Sequence, residues 1–322
     1  MSVRLSIVVP TYRRRELLGR CLAALAGQDL DADRYEIVVA DDAASEDTRT
    51  QVVGLAARVP VRYVAVRGIH GPAAARNAGW TAAVGDVIAF TDDDTIPDAG
   101  WAAAGLGAFE RNPELAAVTG RTEVPLPPAP TDYQRNESGL ATAEFITANC
   151  FVRRTVLESL GGFDERFTAA WREDSDLHFA LLERGWPILK VPTAAVMHPI
   201  RPAQWGICLR MQRKSRFEAL LFKKHPELYR SKVGRFAPPN YYALVSMIAL
   251  GTGLAIAGYA LAAAICLVAW AALTLRLALR RLRGNSLAPN HVAEMLFTSA
   301  LLPPLSLFWR VEGALCFRVF LC

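Results

Sequence analysis

Along the first part of the chain, short apolar runs alternate with segments whose apolar residues recur at helical spacing. Leu5-Ser6-Ile7-Val8-Val9 is a β-branched run ended by Pro10, and residues 16–25 then place Leu17, Leu18, Cys21, Leu22 and Leu25 on one helix face. The pattern returns as a strand at 35–40, ended by Asp41-Asp42, a helix from about 47 to 57, a strand at 61–66, a helix at 73–83 and a strand at 87–90. A helix at 99–109 and a strand at 116–124 follow, and then Pro125-Leu126-Pro127-Pro128-Ala129-Pro130 breaks regular structure into a loop. Beyond it the spacing predicts a strand at 148–152, helices at 154–160 and 174–184, and a final short strand at 188–191. Strands that are apolar throughout and alternate with helices imply an α/β fold whose mostly parallel sheet is covered on both faces.

After Pro239 the pattern changes. Residues 241–275 carry no charge, and at about 1.5 Å per residue that stretch is too long for one straight crossing of a bilayer core about 30 Å thick. Two short spans are expected, turning between about Gly251 and Gly258. Arg276, Arg280, Arg281 and Arg283 follow at once, and the positive-inside tendency assigns them to the cytoplasm. Residues 287–309 contain Glu294 and Pro303-Pro304, with Arg310 and Arg318 beyond. This last stretch is expected either to enter and return, to lie at the interface, or to cross as a third span. Between the two regions, residues 203–224 read as one basic helix, with Trp205, Leu209, Phe217, Leu220 and Leu221 among Arg210, Arg213, Lys214, Arg216, Lys223 and Lys224. Such a helix lies in the headgroup region of a membrane or packs on the domain. The resulting division is an α/β domain at 1–202, a basic interfacial segment at 203–237 and a membrane region of two to three hydrophobic helices at 238–322.

Composition agrees with the tail. Hydrophobic residues make up 52% of the 322, and the mean hydropathy of +0.19 exceeds what a soluble domain needs. The net charge of +5 gathers beside the apolar tail, between Arg201 and Arg235 and again from Arg276 to Arg283, which fits membrane lipids as partners and not nucleic acid. Cys21, Cys150, Cys208, Cys266, Cys316 and Cys322 show neither a CxxC pair nor metal-ligand spacing, so a reducing compartment without structural disulfides is expected. Arg4 leads directly into a strand and then Arg13-Arg14-Arg15-Glu16, so no leader peptide is expected and the first domain is assigned to the cytoplasmic face of the cell membrane.

Asp92-Asp93-Asp94 closes the strand at 87–90. Three adjacent carboxylates repel one another, and a divalent cation is the simplest group to relieve them. In a parallel sheet the ends of neighbouring strands share an edge where ligands bind. Pro10-Thr11-Tyr12, Asp41-Asp42, Arg76-Asn77 and Asp92 to Asp94 therefore supply, in kind, what a nucleoside diphosphate needs: an aromatic surface, a carboxylate for the base or ribose, a cation near phosphate and a metal site.

Six strings now carry a resemblance. Ser6-Ile7-Val8-Val9-Pro10-Thr11-Tyr12, Val38-Val39-Ala40-Asp41-Asp42-Ala43-Ala44-Ser45, Gly71-Pro72-Ala73-Ala74-Ala75-Arg76-Asn77-Ala78-Gly79, Phe90-Thr91-Asp92-Asp93-Asp94, Gly161-Gly162-Phe163-Asp164-Glu165 and Trp171-Arg172-Glu173-Asp174-Ser175-Asp176 stand in order. The chain resembles a family 2 glycosyltransferase, of inverting type, with the GT-A nucleotide-sugar-binding fold. That resemblance implies that Pro10, Thr11 and Tyr12 line the base pocket, that Asp42 accepts a hydrogen bond from the base, commonly uracil, and that Arg76 approaches the nucleotide or its phosphates. Asp92 to Asp94 take the DXD role, Asp94 as the direct ligand of Mg²⁺ or Mn²⁺ and Asp92 or Asp93 facing the ribose, with Asp92 a further metal candidate. Glu173-Asp174 resembles the motif whose Asp is the general base, the alternative being plain helix N-terminal charge. His198 completes the metal or phosphate shell, and Trp171 is either an acceptor-stacking or a core aromatic. Processive relatives carry a QxxRW motif, whereas this chain has Gln212-Arg213-Lys214-Ser215-Arg216-Phe217, so transfer of a single sugar from a nucleotide donor, UDP-linked first, to a lipid-linked or envelope-glycan acceptor is expected. A nucleotidyltransferase is the enzymatic alternative and an inactive membrane scaffold the non-enzymatic one.

Overall fold

In chain order the structure runs β1 (Leu5–Thr11), α1 (Arg15–Ala26), β2 (Tyr35–Asp41), α2 (Glu46–Val53), β3 (Val61–Ala65), α3 (Pro72–Ala82), β4 (Val87–Phe90), β5 (Ile96–Pro97), α4 (Trp101–Arg111) and β6 (Ala117–Glu123). An excursion holding α5 (Asp132–Glu137) precedes β7 (Cys150–Arg153), α6 (Arg154–Leu160), α7 (Glu173–Glu183) and β8 (Ile188–Met197). The computed structural model describes residues 4–234 and 236–320. Its Cα positions divide into two units, Met1–Pro125 with Ser138–Ile200, and Leu126–Glu137 with Arg201–Cys322.

In the first unit, β1 is paired in parallel on both sides, with β2 and β4. That explains why its apolar run does not alternate with polar residues. Ile7 and Val9 enter a core with Leu18, Leu22 and Leu25 of α1 and Leu106 of α4, while Val8 enters the opposite core with Ala73 of α3, Leu157 of α6 and Leu177 and Leu181 of α7. Burying each such side chain is worth about 1.5–3 kcal/mol, so the strands are held from both faces. Among the described residues the sheet has eight strands in the order β3-β2-β1-β4-β7-β6-β8-β5. Four pairings are parallel, and those of β4 with β7, β7 with β6 and β8 with β5 are antiparallel.

The strand expected at 188–191 is longer. Its pairing with β6 shifts register between Gly120 and Arg121, so that Val191 and Ala195 face consecutive residues. The bulge at Pro192 to Ala194 ends the local apolar pattern, which is why sequence periodicity stops there; tertiary pairing restarts the strand at Ala195. Buried Asn149 props the bulge: its Nδ2 donates to the Arg121 and Ala194 carbonyls at 2.9 and 3.1 Å, and its Oδ1 accepts from Trp101 Nε1 at 2.8 Å. The restarted strand pairs with the two-residue β5, Ile96 opposite Met197. β5 and α5 were both invisible to periodicity because each is too short to show a period, and α2 ends at Val53, short of the expected 57.

The second unit contains α5 with α8 (Ile207–Met211), a 3₁₀ turn at Gln212–Arg216, α9 (Phe217–Lys224), α10 (Pro226–Lys232), α11 (Pro239–Ile256), α12 (Ala260–Leu282) and α13 (Pro289–Phe317). The single basic helix expected at 203–224 is therefore corrected to a helix, a 3₁₀ turn and a second helix. Phe217, Leu220, Leu221 and Phe222 are buried within the protein, so α9 packs on the unit and does not offer these side chains to acyl chains. The uncharged stretch divides as expected into two helices, with Gly258 at φ +85° in the turn. Residues 289–317 form one continuous helix through Pro303-Pro304, so the enter-and-return expectation is corrected. Polar groups along this helix are partnered inside the unit: Glu294 accepts from the Gly206 N–H at 2.7 Å, and Thr298 and Ser299 accept from Arg281 at 2.8 and 3.1 Å. Among the described residues α11, α12 and α13 are long and apolar enough to cross a membrane. The described cysteines are free thiols; Cys322 and Arg235 lie outside the described residues.

Asn149→Ala strands one indole N–H and two carbonyls in the buried bulge. The expected result is a loss of about 2 kcal/mol or more of stability, read as a lower midpoint in thermal or urea unfolding.

Candidate active site

The C-terminal ends of β1, β2 and β4 emerge at one edge of the sheet, where Thr11 stands beside Asp41 and the Thr91 N–H donates to the Val8 carbonyl. The next three residues send their carboxylates to different partners. Asp92 accepts from Arg76 Nη2 at 2.8 Å; Asp93 accepts from Thr11 Oγ1 at 2.7 Å and Arg14 Nη1 at 3.0 Å; Asp94 lies 3.6 Å from His198 Nε2. Potential ligand atoms of Asp92, Asp94 and His198 all fall within 4.8 Å of one another. Two carboxylates and an imidazole are a donor set suited to a hard or borderline divalent cation, so these residues fit a metal. Asp93 does not join them. It is 2% exposed, and burial pushes its carboxyl up even against Arg14 and Thr11. Of Asp92 and Asp93, either of which was expected to face the ribose, Asp93 is an internal strut to which the Thr11 hydroxyl donates. Tyr12 is half exposed, with the Arg13 guanidinium 5.4 Å from its ring centroid, and Pro10 is partly covered beside Ala40.

Arg76, from α3, is 3% exposed. Its Nη1 donates to Glu173 Oε1 at 3.0 Å while its Nη2 holds Asp92, so the guanidinium, expected to approach the nucleotide or its phosphates, spans two carboxylates. Burial works against the charge of Asp92, but Arg76 and then His198 more than offset it and hold that carboxyl below the usual range. Glu173 differs. Burial pushes its carboxyl up to about 7 despite Arg76, and its Oε2 is buried without a hydrogen-bond partner. Asp174 is half buried and also raised, chiefly by burial. Ser175 N–H and Oγ both donate to Asp174 Oδ1, at 2.6 and 3.3 Å.

Neighbouring loops are held by groups the sequence did not single out for this role. Asp41 is fully buried and takes the Ala43 and Ser45 N–H groups and the Tyr63 hydroxyl, leaving Asp42 at the surface side. Asp42 accepts from the Gly71 N–H at 3.0 Å and meets His70 Nδ1 at 2.9 Å. Gly71 is required here: its φ is +126° and a Cβ would lie 2.9 Å from the Thr168 carbonyl oxygen. Asn77 explains why Gly161-Gly162-Phe163-Asp164-Glu165 accompanies Arg76-Asn77. Its Nδ2 donates to the Phe163 carbonyl and to Glu165, and its Oδ1 accepts from Phe163 N and Trp80 Nε1, all at 2.9 Å. Phe163 then packs edge-on against Phe90. Trp171 is exposed, not a core aromatic, and Arg172 lies over it at 4.9 Å with φ +77°. Arg13, Ala44 and Arg172, three non-glycine residues at positive φ, border this edge; such strain gathers at functional sites. Arg14 was legible as a cation beside the strand end, whereas nothing local marked His70 or Asn149.

The model of Glycosyl transferase family 2 matches residues 6–170, more than half the chain. The chain belongs to glycosyl transferase family 2. Among the family's curated relatives, glycosyltransferase AglE of Haloferax volcanii is 25% identical over 61% of this chain and 67% of its own length. Validoxylamine A glucosyltransferase of Streptomyces hygroscopicus is 28% identical over 57% and 52%, and pre-mycofactocin glycosyltransferase of Mycobacterium tuberculosis 30% identical over 61% and 43%; the chain thus spans about half the length of the latter two. In fold it is similar to mannosyltransferase PcManGT from Pyrobaculum calidifontis in complex with GDP-Man and Mn²⁺, at a TM-score of 0.63 and 20% identity over 97% of this chain and 87% of that one. TarS 1-349 of S. aureus in complex with UDP follows at 0.52 and 16%, over 96% and 92%. The sheet is therefore a GT-A-type fold. Glu173, Asp174 and His198 lie beyond the family 2 match, and β8 and α7 bring them to the same edge.

Arg76→Met leaves Glu173 buried without its counter-charge. The expected loss is about 3 kcal/mol or more of stability, with Arg76→Lys restoring part of it; differential scanning calorimetry of both variants measures the difference.

Proposed function

We propose that the protein is a metal-dependent, inverting glycosyltransferase that moves one sugar per encounter from a nucleoside diphosphate donor to a lipid-linked or envelope-glycan acceptor at the cytoplasmic face of a membrane. The observation that carries this reading is the meeting at one sheet edge of Asp92, Asp94 and His198 with the Arg76–Glu173 pair and Asp174. A UDP-linked donor is the first choice, as Asp42 and the exposed Tyr12 ring suit a uracil. A membrane-proximal acceptor is supported by the three apolar helices of the same chain, and single transfer by the lack of a QxxRW string at Gln212 to Phe217.

Asp92, Asp94 and His198 would hold Mg²⁺ or Mn²⁺, which when bound would supply positive charge to a leaving diphosphate. Asp174 takes the proton from the acceptor hydroxyl, making it a competent nucleophile. Oδ2 serves, because the Ser175 bonds fall on Oδ1. Arg76 acts through others: it orients Asp92 and fixes Glu173 next to the base.

Asp174→Asn is expected to lower transfer by about 10²–10⁴-fold with UDP affinity close to unchanged, and near-normal turnover would remove Asp174 from the mechanism. Asp94→Ala is expected to lose metal-dependent nucleotide binding, measured by calorimetric titration of UDP with and without Mn²⁺. Since the base must be ionised, turnover falls as pH drops through the Asp174 pKa. Burial lifts that pKa above the ordinary 3.8, so the acid limb of kcat sits at higher pH than for an exposed aspartate. A donor panel of UDP- and GDP-sugars with membrane lipid extract as acceptor, read by product mass, identifies both substrates. No turnover of any donor, together with no metal-dependent nucleotide binding, overturns the reading.

A further inference from the structure

The arginines that follow the second apolar stretch form one cluster in sequence but two groups in space. Arg281 turns into the second unit, where its Nη2 pairs with Asp132 at 2.7 Å and its Nη1 donates to Thr298 and Ser299. Leu277, Ala278 and Leu282 share that buried face of α12. Arg276, Arg280 and Arg283 point the other way. All three are exposed, and among the described residues none of the three side chains makes a hydrogen bond or an ion pair. Their spacing of four and three residues puts them on one helix face over about 10 Å. With Ala272, Leu275 and Leu279 they line an open recess of about 640 Å³.

The same face continues away from the arginines as an apolar stripe. Leu261, Ile265, Val268, Ala272, Leu275 and Leu279 recur at intervals of four and three and are exposed along the helix. Three other cations of the unit are engaged: Arg216 pairs with Glu312 at 3.0 Å, Arg210 donates to Gln204, and Lys223 donates to the Phe317 carbonyl. The three arginines are thus a local excess of positive charge at the mouth of an apolar track.

We infer that Arg276, Arg280 and Arg283 form a headgroup site for an anionic phospholipid of the membrane, with an acyl chain lying along Leu279, Leu275, Ala272 and Val268. Charge complementarity selects the occupant. Guanidinium groups bind phosphate oxygens through paired N–H donors, and a cation cluster at the end of an apolar helix meets the leaflet surface where lipid phosphates lie. A soluble phosphate satisfies the arginines but leaves the stripe in water. A zwitterionic lipid satisfies the stripe but brings its own cation against the arginines. The inference rests on α12 lying in a bilayer and is independent of sugar transfer.

Native mass spectrometry of the full chain in detergent tests it, with phosphatidylglycerol, phosphatidylcholine of the same acyl chains and inorganic phosphate offered separately. Phosphatidylglycerol is expected to remain bound in preference to phosphatidylcholine. The triple variant Arg276→Gln, Arg280→Gln, Arg283→Gln is expected to reduce that binding by about tenfold or more, while the Lys triple and the distant Arg20→Gln, Arg58→Gln, Arg111→Gln control retain it. Should the Gln variant fold poorly, the wild type decides alone: raising sodium chloride weakens phosphatidylglycerol binding and leaves phosphatidylcholine unchanged. Equal retention of the two lipids, undiminished phosphatidylglycerol on the folded Gln variant, or displacement of the lipid by millimolar inorganic phosphate overturns the inference.

Discussion

A guanidinium buried between two carboxylates organises the candidate site. Arg76 belongs to α3, Asp92 to the end of β4 and Glu173 to the start of α7, so its two bonds tie together that strand end and the helix that begins with Glu173-Asp174. Such a group is costly to desolvate, and it is stable in place because both terminal nitrogens are matched to charge. The pairing also separates the acids electrically. Asp92 stays ionised beside Arg76, while Glu173, more deeply buried, is pushed up to about 7.

That constraint resolves the three adjacent aspartates. In the turn that the Thr95 N–H closes onto the Asp92 carbonyl, Asp92 and Asp94 gather with His198, and Asp93 turns back into the protein to Thr11 and Arg14. His198 arrives because the Asn149-propped bulge lets β8 resume and pair with β5, immediately after Asp94. The metal-type cluster is therefore a product of a strand irregularity as much as of an acidic string.

In the second unit the same logic runs in apolar surroundings. The helix α13 carries His291, Glu294, Thr298 and Ser299, and each finds a partner inside: His291 Nε2 accepts from the Asp132 N–H at 3.1 Å and its Nδ1 meets the Ser286 carbonyl at 2.7 Å. Once those groups are satisfied, a helix with an acid and two prolines remains continuous. Arg281 is held by Asp132, a residue from the proline-bordered excursion, and this leaves its three neighbours to face outward.

Local chemistry determined a large part of this protein in advance. Apolar runs and helical spacing placed β1, β2, β3, β4, α1, α3, α6 and α7 within a few residues, because burial on both faces of a sheet leaves a signal in every residue of the strand. The ordered strings around Asp42, Arg76, Asp94 and Asp174 carried the family. What tertiary structure alone decided was which residues answer one another across long stretches of chain. Arg76 takes Glu173 from 97 positions away, and Asp93 is withdrawn from the cluster by Thr11, 82 positions away. Arg281 is sorted from Arg280 by Asp132. Such choices depend on strand register and helix rotation, set by the packing of the whole unit, and a one-dimensional string does not encode them locally.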